Sequence, residues 1–319
     1  MNEFGLIKKY FSPLSKKHKG AFLLSDDAAI FSGKGNFVVT KDLMAEGVHF
    51  FNGPDPEKLA QKLLRVNLSD IAAMGAIPKF YLLGLTLPKN VKEDWIKAFS
   101  EGLKKDQEKY QISLIGGDTT AHDGPIILSL TMIGAAKKNI LKRSGAKKGD
   151  GVYVTGTIGD AFLGLNILEG KIKEKDEFLI ERFNLPSPRL DISRKINQIA
   201  NTCVDISDGL AADLSHILTA SKVSAEIFLD KIPVSEQAKK ILKKKPHLIK
   251  EMITGGDDYE LCFTVPPQKE TELIRIFSSS KTKITKIGGV ITSGGAAILN
   301  IYDKVGKKVV LDKKGFQHF

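Results

Sequence analysis

Two domains of mixed α and β structure, α+β or α/β in class, are the fold this sequence predicts, and three observations predict it. The chain is 319 residues long, about twice a typical domain. Apolar residues make up 42% and charged residues 27%, so each half has material for its own core. Strand-like and helix-like segments alternate in both halves, on either side of a basic, glycine-containing stretch at 136–151 (AKKNILKRSGAKKGDG).

Taken in order, Phe37 to Thr40 (FVVT) is β-branched and aromatic, a strand with a charged residue after it. Asp55 as N-cap and Pro56 at the first helical position open a helix from Glu57 to about Met74, stopped by Gly75 and Pro78. Tyr81 to Leu87 is a second strand. Trp95, Ile96, Phe99 and Leu103 give Glu93 to Tyr110 helical spacing. Ile112 to Ile115 and Ile126 to Ile133 complete a strand-rich first half. The basic stretch carries the domain boundary, expected within 137–150. Beyond it, Val152 to Thr155 is a strand, and Gly156 to Gly159 turns into a helix ending at Leu168. Thr202 to Ile206 is a strand, and Ser207-Asp208 is expected to cap a helix reaching Leu218. Tyr259 to Val265 alternates like a strand, and the tail carries two or three more. No sequence repeat links the halves.

Several classes of function are excluded by composition. The longest apolar runs, such as Phe80 to Leu87, are too short to span a bilayer. The first twenty residues lack an apolar signal core and a small-residue cleavage site. Cys203 and Cys262 are the only cysteines, both in apolar strand-like contexts, which suits a reducing cytoplasm. The net charge of +11 is spread over Lys16 to Lys19, Lys137-Lys138, Lys147-Lys148 and 239–250. No aromatic-studded basic strand accompanies it, so an anion-attracting surface is expected rather than nucleic-acid binding.

Aspartates carry the chemistry. Asp26-Asp27 lies between apolar segments, Asp42 ends a strand, and Asp70 interrupts an apolar helical stretch (LSDIAAMGAI). Asp118 follows Gly116-Gly117 at a strand end, and Asp205 and Asp208 bracket Ser207 at a strand-to-helix junction. A carboxylate in apolar surroundings is costly unless a cation or donors meet it. Hard oxygen ligands suit Mg²⁺ together with substrate phosphates, whereas the scattered histidines and the absence of CxxC give no zinc spacing. Each aspartate alone is more often a cap, a turn residue or an ion-pair partner. Ser207-Asp208-Gly209 at a helix start and Gly116-Gly117 would both admit a phosphate to free backbone N–H groups. Neither a Walker nor a Rossmann glycine pattern occurs. From the residues alone, a magnesium-dependent phosphate or nucleotide site is expected.

At these same residues the chain resembles the thiamine-monophosphate kinase family, within the aminoimidazole-ribonucleotide-synthetase-like superfamily. The segments are SDDAAIF (25–31), TKDLMAEGVHF (40–50), KLLRVNLSDIAAMGAIP (62–78), LIGGDTT (114–120), KRSGAKKGDGVYVTGTIGD (142–160), VDISDGLAADLSHI (204–217) and GGDDYELCFTV (255–265). They occur in the family's order from end to end of the chain. In the related selenophosphate synthetases a reactive cysteine or selenocysteine lies near the N-terminus, and here the first cysteine is Cys203.

The resemblance implies a two-domain fold of mixed sheets covered by helices. Residues 1–138 would bind metal and ATP and form a homodimer, and residues 139–319 would close the cleft. It implies ATP- and Mg²⁺-dependent phosphoryl transfer to thiamine monophosphate, giving thiamine diphosphate and ADP. Asp27, Thr40, Asp42, Asp70, Asp118, Asp205 and Asp208 would ligate several Mg²⁺ ions. Tyr110, Gly117, Asp118, Arg143 and Ser207 would contact ATP, and His49, Asp257 and Phe316 the thiamine phosphate. No catalytic residue beyond the metal ligands is expected, because a phosphate acceptor with its second pKa near 6 is already ionised at neutral pH and needs no general base. Three positions depart from the family: Ser25 where glycine is common, Lys41 where threonine is common, and Asp257 where glutamate is common. In a strand, Lys41 should point away from Asp42.

Overall fold

The computed structural model describes residues 22–23, 25–27, 29–33, 35–136, 139–313 and 315–316. The first twenty residues, including Lys16 to Lys19, and the pair Lys137-Lys138 lie outside the described residues.

The first half comprises β1 (Ala29–Gly33), β2 (Gly35–Ala45), α1 (Pro56–Ala73), β3 (Ile77–Pro88), α2 (Glu93–Tyr110), β4 (Ser113–His122) and β5 (Ile127–Ala136). Its sheet runs β1-β2-β5-β3-β4, antiparallel throughout except for the parallel pair β3–β4. Helix α1 starts where the sequence places it: the Asp55 carboxylate accepts from the N–H groups of Glu57 and Lys58, with Pro56 behind it. Of its 18 residues, 14 are buried, so it is the central helix of the molecule rather than a surface one. Helix α2 crosses it at Gly102, where a Cβ would lie 2.2 Å from the Glu57 carbonyl oxygen. A buried fork ties the two helices: Arg65 donates from Nε and Nη2 to Asp106 at 2.6 and 3.0 Å.

The second half comprises β6 (Gly151–Thr155), α3 (Asp160–Leu168), α4 (Glu177–Asn184), α5 (Leu190–Ile199), β7 (Thr202–Asp205), α6 (Leu210–Ser221), β8 (Val223–Phe228), α7 (Glu236–Lys244), α8 (Leu248–Met252), β9 (Leu261–Val265), α9 (Glu270–Phe277), β10 (Ile284–Ser293) and β11 (Leu299–Tyr302). Its sheet runs β11-β8-β10-β6-β9-β7. Strands β6, β7 and β9 are buried along their whole length, in the interior of the second half. The sheets divide between β5, which ends at Ala136, and β6, which starts at Gly151. Ala72 and Ala73 of α1 pack with Leu141, Ile192, Ile196 and Phe263 in one core cluster. The end of α1 is therefore clamped against the second half.

Two strands extend further than the sequence suggests. β2 continues to Ala45, so Asp42 sits inside a strand rather than at its end. β4 continues to His122, so Gly116 to Asp118 also lie within a strand. Ladder pairing overrides local propensity in both cases: β2 is held by ten residue pairs with β5, and β4 by its ladder with β3. A Cβ at Gly117 would come within 1.9 Å of the Leu83 carbonyl oxygen, so the close approach of β3 requires that glycine.

Candidate active site

Four elements bring carboxylates to one place. Asp27 precedes β1, Thr40 and Asp42 alternate on one face of β2, Asp70 lies near the end of α1, and Asp205 ends β7. Carboxylate oxygens of Asp27, Asp70 and Asp205 all lie within 4.8 Å of one another. Thr40 Oγ1 donates to Asp70 Oδ2 and lies 3.4 Å from the Asp27 carbonyl oxygen. Lys41 instead donates to Ser129 Oγ on the opposite face, so its charge leaves the cluster as the strand period expects.

The electrostatics follow from crowding. Burial, then the neighbouring Asp27, pushes the Asp42 carboxyl up to about 6. The same two causes push Asp205 up to about 8. Burial followed by Asp42, Asp205 and Asp27 raises Asp70 well above the usual carboxylate range. Asp27 Oδ2 and Asp42 Oδ2 are buried with no hydrogen-bond partner.

Arg143 is the cation built into the cluster. Its Nε donates to Asp27 Oδ1 at 3.0 Å, Nη2 donates to the same oxygen, and its backbone N–H donates to Asp26 Oδ1 at 3.2 Å. Burial opposes its charge, but Asp27, Asp213 and Asp26 outweigh burial and keep the guanidinium protonated. Burial and Asp27 push Asp26 up to about 6.

A second group lies beside the first. Carboxylate oxygens of Asp208 and Asp213 and a ring nitrogen of His216 are again within 4.8 Å of one another. Asp213 Oδ2 accepts from the N–H groups of Asp208 and Gly209, both at 3.1 Å. This corrects the expected cap: Gly209, at φ 115°, is the N-cap of α6, and no side chain caps it. Two of the N–H groups expected to await a phosphate are thus met by Asp213. Burial, then Arg143, lowers the His216 imidazole to about 4. Asp213 and His216 were missed in the sequence, although D-x-x-H on an otherwise apolar helix (LAADLSHIL) was the available signal.

The segment carrying Asp257 is zipped to the one carrying Asp205. Asp257 N–H donates to Ser207 O at 2.9 Å, and Tyr259 N–H donates to Ile206 O at 2.8 Å. Asp257 and Tyr259 both adopt positive φ, 68° and 50°, a strained backbone of the kind that gathers at functional sites. Asp257 Oδ2 accepts from Lys62 Nζ at 3.1 Å, and Oδ1 accepts from the Tyr259 hydroxyl at 3.0 Å. The His49 ring Nδ1 accepts from Ala45 N–H at 3.1 Å, in the turn after β2. Phe316 N–H donates to Asp208 O at 3.0 Å, which puts Phe316 beside the second group with its ring half exposed.

Tyr110, Gly117 and Asp118 are placed elsewhere. Tyr110 ends α2 and packs on the first core. Gly117 and Asp118 lie on β4, three strands across the sheet from β2, or about 14 Å at normal strand spacing. The register aligns Asp118 with Gly84, Ser129 and Leu43. Its row is therefore on the face opposite Asp42, and its carboxylate accepts only from the Thr119 N–H at 2.8 Å among the hydrogen bonds described. That opposite face exposes Leu43 and Leu82, which the same registers place on it.

Comparison with known proteins sharpens this picture. Residues 25–136 match the family model "AIR synthase related protein, N-terminal domain", and residues 147–299 match its C-terminal counterpart. The thiamine-monophosphate kinase of Haemophilus influenzae is 40% identical, over 100% of this chain and 98% of that protein. The enzyme of the same name from Escherichia coli K12 is 39% identical, over 99% and 98%. Among solved structures, one described as "AaThiL complexed with AMPPCP and TMP" superposes with a TM-score of 0.85 at 33% identity, covering 100% of this chain and 97% of that one. Thiamine monophosphate kinase from Aquifex aeolicus gives 0.80 at 32% identity, covering 96% and 97%.

Proposed function

Since the chain belongs to the AIR synthase related family, and within it to the thiamine-monophosphate kinases, we propose that the Asp27–Asp70–Asp205 cluster holds magnesium for phosphoryl transfer from ATP to thiamine monophosphate. The activity yields thiamine diphosphate and ADP. The observation that carries the site reading is the convergence of these carboxylates from both halves of the chain, with buried oxygens on Asp27 and Asp42 left without a partner.

The donor set fits the ion. Carboxylate and hydroxyl oxygens are hard ligands, and buried carboxylate oxygens without a protein donor are ones a cation would satisfy. When bound, magnesium supplies charge neutralisation between two phosphate anions, whose repulsion costs about 4 kcal/mol per unit-charge pair at 4 Å and an effective dielectric of 20. Asp27, Thr40, Asp42, Asp70 and Asp205 are the residues that would hold it in the first group, and Asp208 with Asp213 in the second. Thr40 orients the Asp70 carboxylate, and Arg143 holds Asp27 while offering a protonated guanidinium to ATP. Ser207 lies between the two groups, a second ATP contact, while His49, Asp257 and Phe316 border the acceptor side. No side chain has to remove a proton from an acceptor that is already ionised.

Tyr110, Gly117 and Asp118 serve the equivalent cluster of a second copy. The face that Asp118 shares with exposed Leu43 and Leu82 is the homodimer interface in this reading. Two buried free thiols, Cys203 and Cys262, support a cytoplasmic setting.

The test is direct. Purified protein with ATP, Mg²⁺ and thiamine monophosphate is expected to release thiamine diphosphate and ADP in equal amounts, abolished by a chelator. Folded, ATP-binding protein that forms no diphosphate would overturn the substrate assignment.

A further inference from the structure

Lys62 lies two helical turns before Asp70 on α1 and has no part in the proposed function, yet its setting is unusual. Its side chain is 5% exposed, and the ammonium is 3.1 Å from Asp257 Oδ2. It also lies 3.7 Å from the centroid of the Phe183 ring. Among the described residues Asp257 is its only ion-pair partner, whereas the neighbouring Lys58 pairs with Glu181 at 2.7 Å. Lys62 lines a cavity of about 180 Å³ with Phe50, Phe51 and Phe183, and the rings of Phe51 and Phe183 are 6.2 Å apart, inclined at 54°.

A buried charge of this kind is costly if its partner is withdrawn without replacement. Asp257 is the residue that the proposed function sets against thiamine monophosphate, and that ligand carries a permanent thiazolium cation and a phosphate anion on one short chain. Its two charges mirror the Lys62–Asp257 pair. A thiazolium that takes the Asp257 carboxylate leaves the ammonium needing an anion, and the phosphate of the same molecule supplies one. The other Asp257 oxygen is held by Tyr259, which feels the charges of Asp42 and Asp205 as well as Asp257. The pair thus borders the carboxylate cluster, and the long lysine stem allows the head to turn.

We propose that Lys62 is a substrate-binding residue for the acceptor phosphate, held by Asp257 in the empty site and exchanged for the thiazolium on binding. This inference rests on the kinase reading. Both charges stay paired throughout, so binding neither creates nor strands a buried ion.

Calorimetric titration with thiamine monophosphate and with thiamine, which lacks the phosphate, tests it on wild type, Lys62→Met and Lys62→Arg. The Met variant is expected to bind thiamine monophosphate about 10- to 100-fold more weakly, the range for a lost hydrogen bond between charged groups. It should bind thiamine as well as wild type or better, because Asp257 is released, and its KM for ATP should be unchanged. Arg should restore much of the lost affinity. Asp257→Asn, which keeps Lys62, should weaken thiamine more than thiamine monophosphate, because the released ammonium still takes the phosphate. Equal weakening of both ligands by Lys62→Met would reduce the lysine to a structural role and overturn the proposal, as would unchanged binding of the phosphorylated ligand. Wild-type protein that makes no thiamine diphosphate would overturn the kinase reading itself, and this inference with it, whatever Lys62→Met does.

Discussion

Replacing Asp205 with Asn should make the metal-free protein more stable while disabling it. The oxygens of Asp205, Asp27 and Asp70 are within 4.8 Å of one another, and each like-charged pair at that separation costs about 3.5 kcal/mol at an effective dielectric of 20. Two such pairs would cost about 7 kcal/mol, so the cheaper route is for Asp205 to keep its proton, consistent with its rise to about 8 from an ordinary 3.8. Holding that proton at pH 7 costs about 4 kcal/mol by linkage. The sign is set by the proton count. Between about pH 4 and 8 the native state binds a proton at Asp205 that the unfolded state has lost, so stability falls as pH rises through that window. Asn has no proton to hold, but its amide needs partners, at a cost of about 1–3 kcal/mol. A net gain of roughly 1–3 kcal/mol remains, or a few degrees in Tm for a chain of this size. Thermal melts from pH 5 to 8 without metal should show wild type losing stability with pH more steeply than the variant. Added Mg²⁺ should raise the wild-type Tm and leave the variant nearly unchanged, and kcat should fall at least about 100-fold. An Asp205→Asn protein that is less stable without metal, yet still stabilised by Mg²⁺, would refute this reasoning.

Asp118 acting across a homodimer predicts complementation. Co-refolded 1:1 mixtures of the inactive variants Asp118→Asn and Asp70→Asn should regain about a quarter of wild-type activity, since half the dimers are mixed and carry one intact site; no recovery would place Asp118 in its own chain's site. Leu82→Lys, on the exposed sheet face that carries Asp118, should shift the protein from dimer to monomer in light scattering, and a dimer that persists would count against that interface. Glu260→Gln should lower stability by about 3–5 kcal/mol in urea titration, because Glu260 is fully buried and receives both Arg182 and Arg189; its Mg²⁺ response should survive. Gly117→Ala must separate β3 from β4 and is expected to cost about 1–3 kcal/mol, read by the same titration, with a wild-type midpoint contradicting so close an approach of the two strands.

Much of the fold was legible in the sequence. Helix α1 announced both ends, with Asp55-Pro56 before it and Gly75 after, because capping and helix-breaking are local. α2 likewise has the span its apolar spacing indicates. Strands β2 and β4 look shorter in the sequence than they are, because Lys41-Asp42 and Gly116-Gly117 resemble terminators. Only pairing with β5 and β3 carries the chain through them. Helices α5 and α7 carry their buried residues Ile192, Ile196 and Ile199, and Ala238 and Ile241, at helical spacing, a local signal as plain as that of α2. Within the site, Asp27, Asp70 and Asp205 stood out as carboxylates in apolar surroundings. Asp213 hid as an ordinary helix residue, although it satisfies the backbone in the role expected of a cap. Lys62 hid more completely, since a lysine in an amphipathic helix is normally a solvated one.

The same placements explain why the cluster needs so much structure around it. Asp27 and Asp70 come from the first half and Asp205 from the second, so ionising Asp205 beside them would tend to part the halves as well as the residues. Two features oppose it. Arg143, in the segment joining the sheets, puts a positive charge on Asp27 from the second half's side. Immediately after Asp70, Ala72 and Ala73 are packed among Ile192, Ile196 and Phe263, so the helix end cannot retreat without opening that core. Small residues at those two positions let α5 and β9 come close, and the carboxylate rides on the turn they anchor. A larger side chain at Ala72 would be expected to disturb the metal site from a distance, through the position of Asp70 rather than through any contact with an ion. The apolar contact between halves and the charge crowding in the cleft are thus two sides of one arrangement: the first supplies the rigidity that keeps the second from relaxing.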